Sequence, residues 1–151
     1  MITKAAKEST YLEKNKAHIA EFQQAIATLT EKLKQRAKTH DASKLQEPEL
    51  TQYTEVEEKL EKHPIGSHNY RSIVKQNKPI LDKHYKNNPH HPEHFKNGFN
   101  SMTILDLVDV FTDWKLDCGD EDWDSFVDSR TDYYSLSSQL ATILKNSKNI
   151  L

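Results

Sequence analysis

The most hydrophobic segment of the chain runs Ser101-Met102-Thr103-Ile104-Leu105-Asp106-Leu107-Val108-Asp109-Val110-Phe111-Thr112-Asp113-Trp114. With about 3.6 residues per helical turn, its apolar residues cover one broad side, while Met102 and three aspartates share a narrow arc. Those aspartates are Asp106, Asp109 and Asp113. A helix that is apolar over so much of its circumference is expected to be largely buried. The segment therefore predicts a central helix of an all-α protein.

The acidic arc of this helix has two interpretations. It is either the solvated side of an amphipathic helix or a set of carboxylates that face a cation. A carboxylate drawn into an apolar setting costs several kcal/mol unless a cation or hydrogen bonds compensate it. The two interpretations are equally supported for Asp106. Asp109 and Asp113 flank the aromatic part of the helix, which favours the interpretation that they face a cation.

The composition of the whole chain agrees with a helical protein. Its 151 residues suffice for one domain, with 35% hydrophobic and 29% charged residues, three glycines and five prolines. The mean hydropathy is -0.86. Helices that each bury a narrow stripe give such a balance. We therefore expect a single helical bundle over residues 1–151, with residues 120–151 as two helices that cover the core.

Charge and termini exclude several classes of function. The net charge is -2 and no basic block is present, which argues against nucleic acid as a partner. Residues 1–7 lack the apolar core of a signal peptide, and no segment is long enough to cross a bilayer. We expect a cytoplasmic protein without membrane contact, whose one cysteine, Cys118, is a small buried residue.

The N-terminal part predicts one long helix or two over residues 5–37, free of glycine and proline. Its apolar stripe includes Phe22, and His18 lies on the same face four residues earlier. A histidine on an apolar face is either a core residue with a hydrogen-bond partner or a metal ligand. Further helices are expected at about 47–63, 67–78 and 79–85.

The segment Thr39-His40-Asp41-Ala42-Ser43-Lys44 places an imidazole beside a carboxylate, and both can ligate one divalent ion. On a helical turn Lys44 shares a face with Asp41, so its ammonium lies near any anion that the metal binds. The simpler interpretation is that Asp41 caps a helix and His40 lies on the surface.

The histidine-rich segment, residues 84–94, contains four of the eight histidines: His84, His90, His91 and His94. Pro89 and Pro92 prevent a continuous helix and hold the turn in few conformations. Surface loops are usually built from serine, glycine and aspartate rather than from clustered histidines. The segment therefore favours a metal site over a plain polar loop.

Taken together, these motifs resemble the HD-domain superfamily of helical, metal-dependent phosphohydrolases. His40-Asp41 with the trailing Lys44 looks like the superfamily's HD motif. The combination of HDxSK, the histidines at 90–94 and Asp113-Trp114 is similar to a small uncharacterised family of bacteria and phages. The resemblance covers about residues 15–115, which we expect to form the metal-site core.

The resemblance implies a phosphohydrolase that acts on a small nucleotide or related phosphoester with one or two divalent ions. Mixed nitrogen and oxygen donors suit Mn, Fe, Co, Ni or Zn. The candidate metal ligands are His18, His40, Asp41, His84, His91, His94 and, as distal alternatives, Asp109 and Asp113. By the chemistry of their side chains, the candidate catalytic residues are Asp41, Lys44 and Glu93, and the candidate substrate-binding residues are Lys44, Arg71 and Asn88. The alternatives are a non-catalytic, metal-stabilised binding module that sequesters a nucleotide or regulates a protein partner, and a plain helical interaction protein.

Overall fold

The computed structural model describes the backbone from Lys4 to Leu151 and the side chains from Glu8 onwards. Within these residues the protein is all-α, as predicted, with seven α-helices, three short 3₁₀ turns and no strand. The expectation about a signal peptide concerns residues 1–7, whose side chains lie outside the described residues. The chain divides after Thr39 into two units.

The first unit is helix α1, Lys4–Thr39, a single helix of 36 residues rather than two. It contains no glycine or proline, and Arg36 and Lys38 in its last turn complement the helix dipole. Its described side chains are almost all exposed, Phe22 and Ile26 among them. Leu33 and Arg36 are half-buried.

The second unit begins with three helices, α2 (Glu49–Leu60), α3 (His68–Gln76) and α4 (Lys78–Asn87). The α2–α4 core consists of Tyr53, Val56 and Leu81, surrounded by half-buried aliphatic and aromatic side chains. Ser67 caps α3 by accepting a hydrogen bond from the Tyr70 amide. This core is small, so these helices depend on their polar contacts as well.

The chain continues through α5 (Ile104–Cys118), α6 (Trp123–Tyr134) and α7 (Ser138–Asn146). The α5–α7 core is larger and is built from aromatic and aliphatic side chains. Its buried members are Val110, Phe111, Trp114, Cys118, Trp123, Phe126, Val127, Ala141 and Leu144. The Trp123 indole donates a hydrogen bond of 2.9 Å to the Leu144 carbonyl and joins α6 to α7.

The beginning of α5 shows what one aspartate of the acidic arc does. Thr103 and Asp106 form a capping box, in which the Asp106 carboxylate accepts hydrogen bonds from the Thr103 amide and hydroxyl, both at 2.7 Å. Asp106 is therefore buried as a helix cap and not on a solvated face. The helix starts at Ile104 because of this cap and extends past Trp114 to Cys118.

Cys118 is buried in the last turn of α5, as predicted. Asp122 caps α6 and Ser137 caps α7. Among residues 4–151, none of the helices combines the length and hydrophobicity that crossing a bilayer requires.

Candidate metal centre

The backbone conformation of Asp41, near the start of the second unit, sets the direction of its side chain. Asp41 adopts a left-handed conformation, with φ of 51°, and leads into the 3₁₀ turn Ala42–Leu45. Aspartate and asparagine tolerate this conformation better than other residues with a Cβ atom. The Asp41 carboxylate makes no capping hydrogen bond, so it is not a helix cap. It faces Lys44, His84 and His90 instead.

Four side chains converge around this carboxylate: Asp41, His84, His90 and His91 form the primary cluster. Asp41 Oδ1 lies 3.4 Å from His90 Nε2 and 3.6 Å from His84 Nε2. His84 Nε2 and His91 Nε2 are 2.8 Å apart. Ligand atoms around a tetrahedral ion with bonds of about 2.0–2.2 Å stand about 3.3–3.6 Å apart. The two distances from Asp41 Oδ1 match this spacing, whereas the 2.8 Å contact between His84 and His91 is a hydrogen bond that an ion would replace.

Two polar atoms in this cluster lack a hydrogen-bond partner among the described residues. They are Asp41 Oδ1 and His90 Nε2, and both are buried. Leaving a buried polar atom unsatisfied costs about 1–3 kcal/mol, and more for a charged group. A cation between these atoms would satisfy both at once. The residues present therefore fit a metal ion.

A chain of hydrogen bonds behind the cluster orients His84. Its Nδ1 lies 2.7 Å from Glu49 Oε1, which also accepts a 2.7 Å hydrogen bond from the Ser43 hydroxyl. Asn88 donates to Ser43 Oγ and to the His84 carbonyl. A carboxylate on Nδ1 keeps the proton there and leaves the Nε2 lone pair for a metal. All of His84, Glu49 and Asn88 are buried, so this orientation is fixed.

The electrostatics of the three imidazoles suit metal ligation. Burial lowers the pKa of His84, of His91 and, to about 4, of His90. They are neutral at pH 7, as ligands must be. Burial opposes ionisation of Asp41, but the hydrogen bond and charge of Lys44 outweigh it and lower the pKa of the carboxyl. The cluster thus offers one anion and three neutral nitrogen donors.

A second group, His40, His90 and Asp113, lies beside the first and shares His90 with it. His40 Nε2 is 3.2 Å from Asp113 Oδ1, and the rings of His40 and His90 are 4.2 Å apart. The hydrogen bond to Asp113 raises the pKa of His40. Asp109 interacts electrostatically with His40 but does not belong to either group. Of the two distal alternatives, the structure brings Asp113 to the site.

Three residues of the predicted site lie elsewhere. His94 is exposed, and its Nδ1 is 2.9 Å from the Tyr85 carbonyl, so it belongs to neither group. Arg71 donates to the Gly66 carbonyl and stacks over the Tyr133 ring. Burial raises the pKa of Glu93 against an opposing hydrogen bond from Tyr134, and the residue also lies outside both groups.

The remaining predicted residues are placed as follows. Lys44 lies within 2.8 Å of Asp41 Oδ2 and 3.1 Å of Glu57 Oε1, so it is at the site but paired. Asn88 is buried behind His84 and supports that ring rather than facing outwards. His18 is exposed on α1, which is described as a unit of its own.

Two residues around the site were not among the predicted ones: His90, which belongs to both groups, and Glu49, which contacts His84. His90 was part of the histidine-rich segment, but no periodicity in a turn tells which imidazoles point together. Glu49 lies in the first turn of α2 and contacts a histidine 35 residues away, a separation that no local sequence pattern reveals. The adjacent histidine pair at 90–91 was the available signal.

The comparisons with known proteins give a family but no function. Neither curated proteins nor solved structures match the chain. The model of a family of unknown function, DUF5662, matches residues 7–150. The match includes residues of both units and every residue of the primary cluster and of the second group. The chain therefore belongs to the DUF5662 family.

Proposed function

We propose that this protein is a metal-dependent phosphohydrolase, similar to HD-domain enzymes, that acts on a small nucleotide or related phosphoester. The observation that carries the proposal is the pair of buried, unsatisfied atoms, Asp41 Oδ1 and His90 Nε2, within a cluster of three histidines and one aspartate. The likeness of His40-Asp41 and Lys44 to the HD motif supplies the reaction class.

The primary cluster would hold the first ion through Asp41, His84, His90 and His91. His40 and Asp113 would hold a second ion, with His90 turned to one ion or the other. Mixed nitrogen and oxygen donors suit Mn, Fe, Co, Ni or Zn better than Mg, which prefers oxygen alone. When bound, such an ion polarises a phosphoryl oxygen and makes a nearby water more acidic.

Two groups of the chain have roles beside the ion. Lys44 is half-buried, and its partner Glu57 is more exposed than Asp41. The ammonium can therefore exchange Glu57 for a phosphate oxygen without leaving Asp41. His40 Nε2 holds a proton against Asp113 Oδ1, since this contact raises its pKa. When it does not bind an ion, His40 is the group that can protonate a leaving oxygen.

A second candidate is a metal-stabilised binding module without turnover. Four protein ligands in the primary cluster would complete the shell of a tetrahedral ion, as in structural zinc sites. An ion that prefers six ligands would keep two positions open for substrate. The identity of the bound metal therefore distinguishes the two functions.

The test begins with purification without chelators and elemental analysis of the wild type, His90→Ala and His94→Ala. The two variants remove the same side chain from the same segment, but only His90 lies in the clusters. We expect near-stoichiometric metal in the wild type and His94→Ala. In His90→Ala, affinity should fall by more than about 100-fold, because even changes behind the ligands cost 10–100-fold. Equal metal content in all three proteins would refute the ligand set.

Activity is then measured with nucleoside mono-, di- and triphosphates and cyclic nucleotides in the presence of Mn. Release of phosphate or monophosphate by the wild type and by His94→Ala, but not by His90→Ala, supports the hydrolase. Stoichiometric zinc without hydrolysis of any of these compounds supports the binding module instead.

A further inference from the structure

A pocket of about 300 Å³ borders the 3₁₀ turn that follows His91. One wall is formed by residues 92–100, and the other by the end of α6 and the start of α7. Its lining does not include any member of the two metal-binding groups. The pocket is therefore a site of its own, and what it binds does not depend on the proposed hydrolysis.

The charge of the lining selects against anions. Glu93 is the single charged residue among the twelve that line the pocket, and no lysine, arginine or histidine is among them. The other polar groups are the amides of Asn97 and Asn100 and the hydroxyls of Tyr134, Ser135 and Ser137. A phosphate or carboxylate would meet a carboxylate without a compensating cation. A positively charged ligand would gain from the same carboxylate.

Aromatic rings add a second preference for cations. Phe95, Phe99 and Tyr134 line the pocket beside Glu93. The rings of Phe99 and Tyr134 lie edge to face, with centroids 5.7 Å apart. Aromatic faces attract ammonium groups, and a desolvated contact of this kind contributes more than an exposed one.

We propose that this pocket binds a small organic cation, with its ammonium group against Glu93 and its carbon groups against Phe95, Phe99 and Tyr134. The volume equals that of about ten water molecules at roughly 30 Å³ each. Ligands of about ten non-hydrogen atoms or fewer therefore fit. The Asn97 and Asn100 amides accept or donate hydrogen bonds at the rim.

The pocket and the primary cluster are adjacent along the chain, because the turn that lines the pocket directly follows His91. Pro92 and Glu93 line the pocket and belong to the 3₁₀ turn Pro92–His94, and His91 directly precedes this turn. The turn is held by the hydrogen bonds from the His94 amide to the His91 carbonyl and from the Phe95 amide to the Pro92 carbonyl. A cation in the pocket therefore contacts the segment that positions His91.

The experiment uses choline chloride as the probe and follows backbone amides by NMR at constant ionic strength. We expect saturable shifts at Gly98, Ser135 and Ser137. Two control compounds should bind at least about tenfold more weakly than choline. They are sodium acetate and the neutral alcohol in which carbon replaces the choline nitrogen. This comparison needs only the wild-type protein.

Two variants then test Glu93. Glu93→Gln should weaken choline binding by about tenfold or more, while Asp132→Asn removes one negative charge from an exposed residue outside the lining and should leave binding unchanged. The proposal is overturned if acetate or the neutral alcohol binds as well as choline, if choline shifts do not saturate, or if both variants bind choline like the wild type.

Discussion

The two cores of the second unit differ in what surrounds them. The α5–α7 core is continuous and apolar, with Trp114, Phe126 and Val127 at its centre. The α2–α4 core has three buried members, and one of them, Tyr53, packs its ring on His84 at 4.0 Å. Buried polar groups that include Glu49, His84 and Asn88 continue this smaller core. The α5–α7 half is thus stabilised by apolar packing, whereas the α2–α4 half combines a small apolar core with the candidate metal ligands.

The difference shows where a metal ion would contribute to folding. Apolar burial stabilises the α5–α7 core without a cofactor. The α2–α4 half contains unsatisfied polar atoms at Asp41 and His90, which oppose folding unless a cation is bound. Metal should therefore stabilise the two halves unequally.

Phe126→Ala should reduce the free energy of unfolding by about 3–5 kcal/mol, because it leaves a cavity in a fully buried apolar site. The loss should be the same with EDTA and with excess Mn, since Phe126 does not contact the ligand cluster. Urea unfolding under both conditions measures this. A large change in Mn affinity in the folded variant would show that the two cores are not independent.

Adding metal to the metal-free protein should raise the free energy of unfolding by about 3 kcal/mol at a free concentration of 100 times Kd. Amide hydrogen exchange should slow more in α2 and α4 than in α6 and α7, because the primary cluster and its supporting residues lie on the α2–α4 side. His90→Ala serves as the control and should gain little. Uniform protection across all helices would contradict the comparison.

Glu49→Gln should weaken metal binding by about 10–100-fold, because it removes the carboxylate that fixes the His84 ring. The amide keeps the size of the side chain, so the helical circular dichroism should not change. Competition with a chromogenic chelator measures the affinity. Glu47→Gln, which changes an exposed acid two residues earlier, is the matched control.

The metal-free protein should lose stability as the pH falls from about 6.5 towards 4. The pKa of His90 is lowered by burial to about 4 from 6.5, so the unfolded chain binds more protons in this interval. Burial also lowers the pKa of His84 and of His91. The pKa of His40 is raised instead, which stabilises the fold below 6.5 and is lost as the pH rises through that pKa. Burial raises the pKa of Asp117 to about 6, which also opposes the loss on acidification, but the three histidines with lowered pKa outweigh these two groups. Urea midpoints in EDTA that rise on acidification would contradict this.

Most of the helical fold could be predicted because proline and serine residues mark the ends of several helices in the sequence. Pro79 lies in the first turn of α4, Ser67 caps α3, and Pro89 ends the helical part of the histidine-rich segment. The exact start of α5 was missed, since Thr103 and Asp106 look like ordinary helical residues until their capping box is seen. The apolar pattern and the proline and serine signals therefore predicted the helices and several of their boundaries, but not the start of α5.

The candidate site was predicted less completely, for two physical reasons. Asp109 and Asp113 lie one turn apart on the same arc, and only the packing of α5 beside His40 separates them. His90 and His94 lie in a turn, where side-chain direction depends on local hydrogen bonds such as that of His94 with the Tyr85 carbonyl. Residue type therefore identified the segment, and the tertiary structure selected its members.

The left-handed backbone of Asp41 determines which substitution can isolate its charge. Alanine at this position would add about 1–2 kcal/mol of conformational cost to the loss of the carboxylate. Asparagine tolerates the same backbone and differs from aspartate mainly in charge and in one hydrogen-bonding atom. Asp41→Asn is thus the substitution that separates electrostatics from geometry, and the same limit restricts which amino acids evolution could place here without rebuilding the turn.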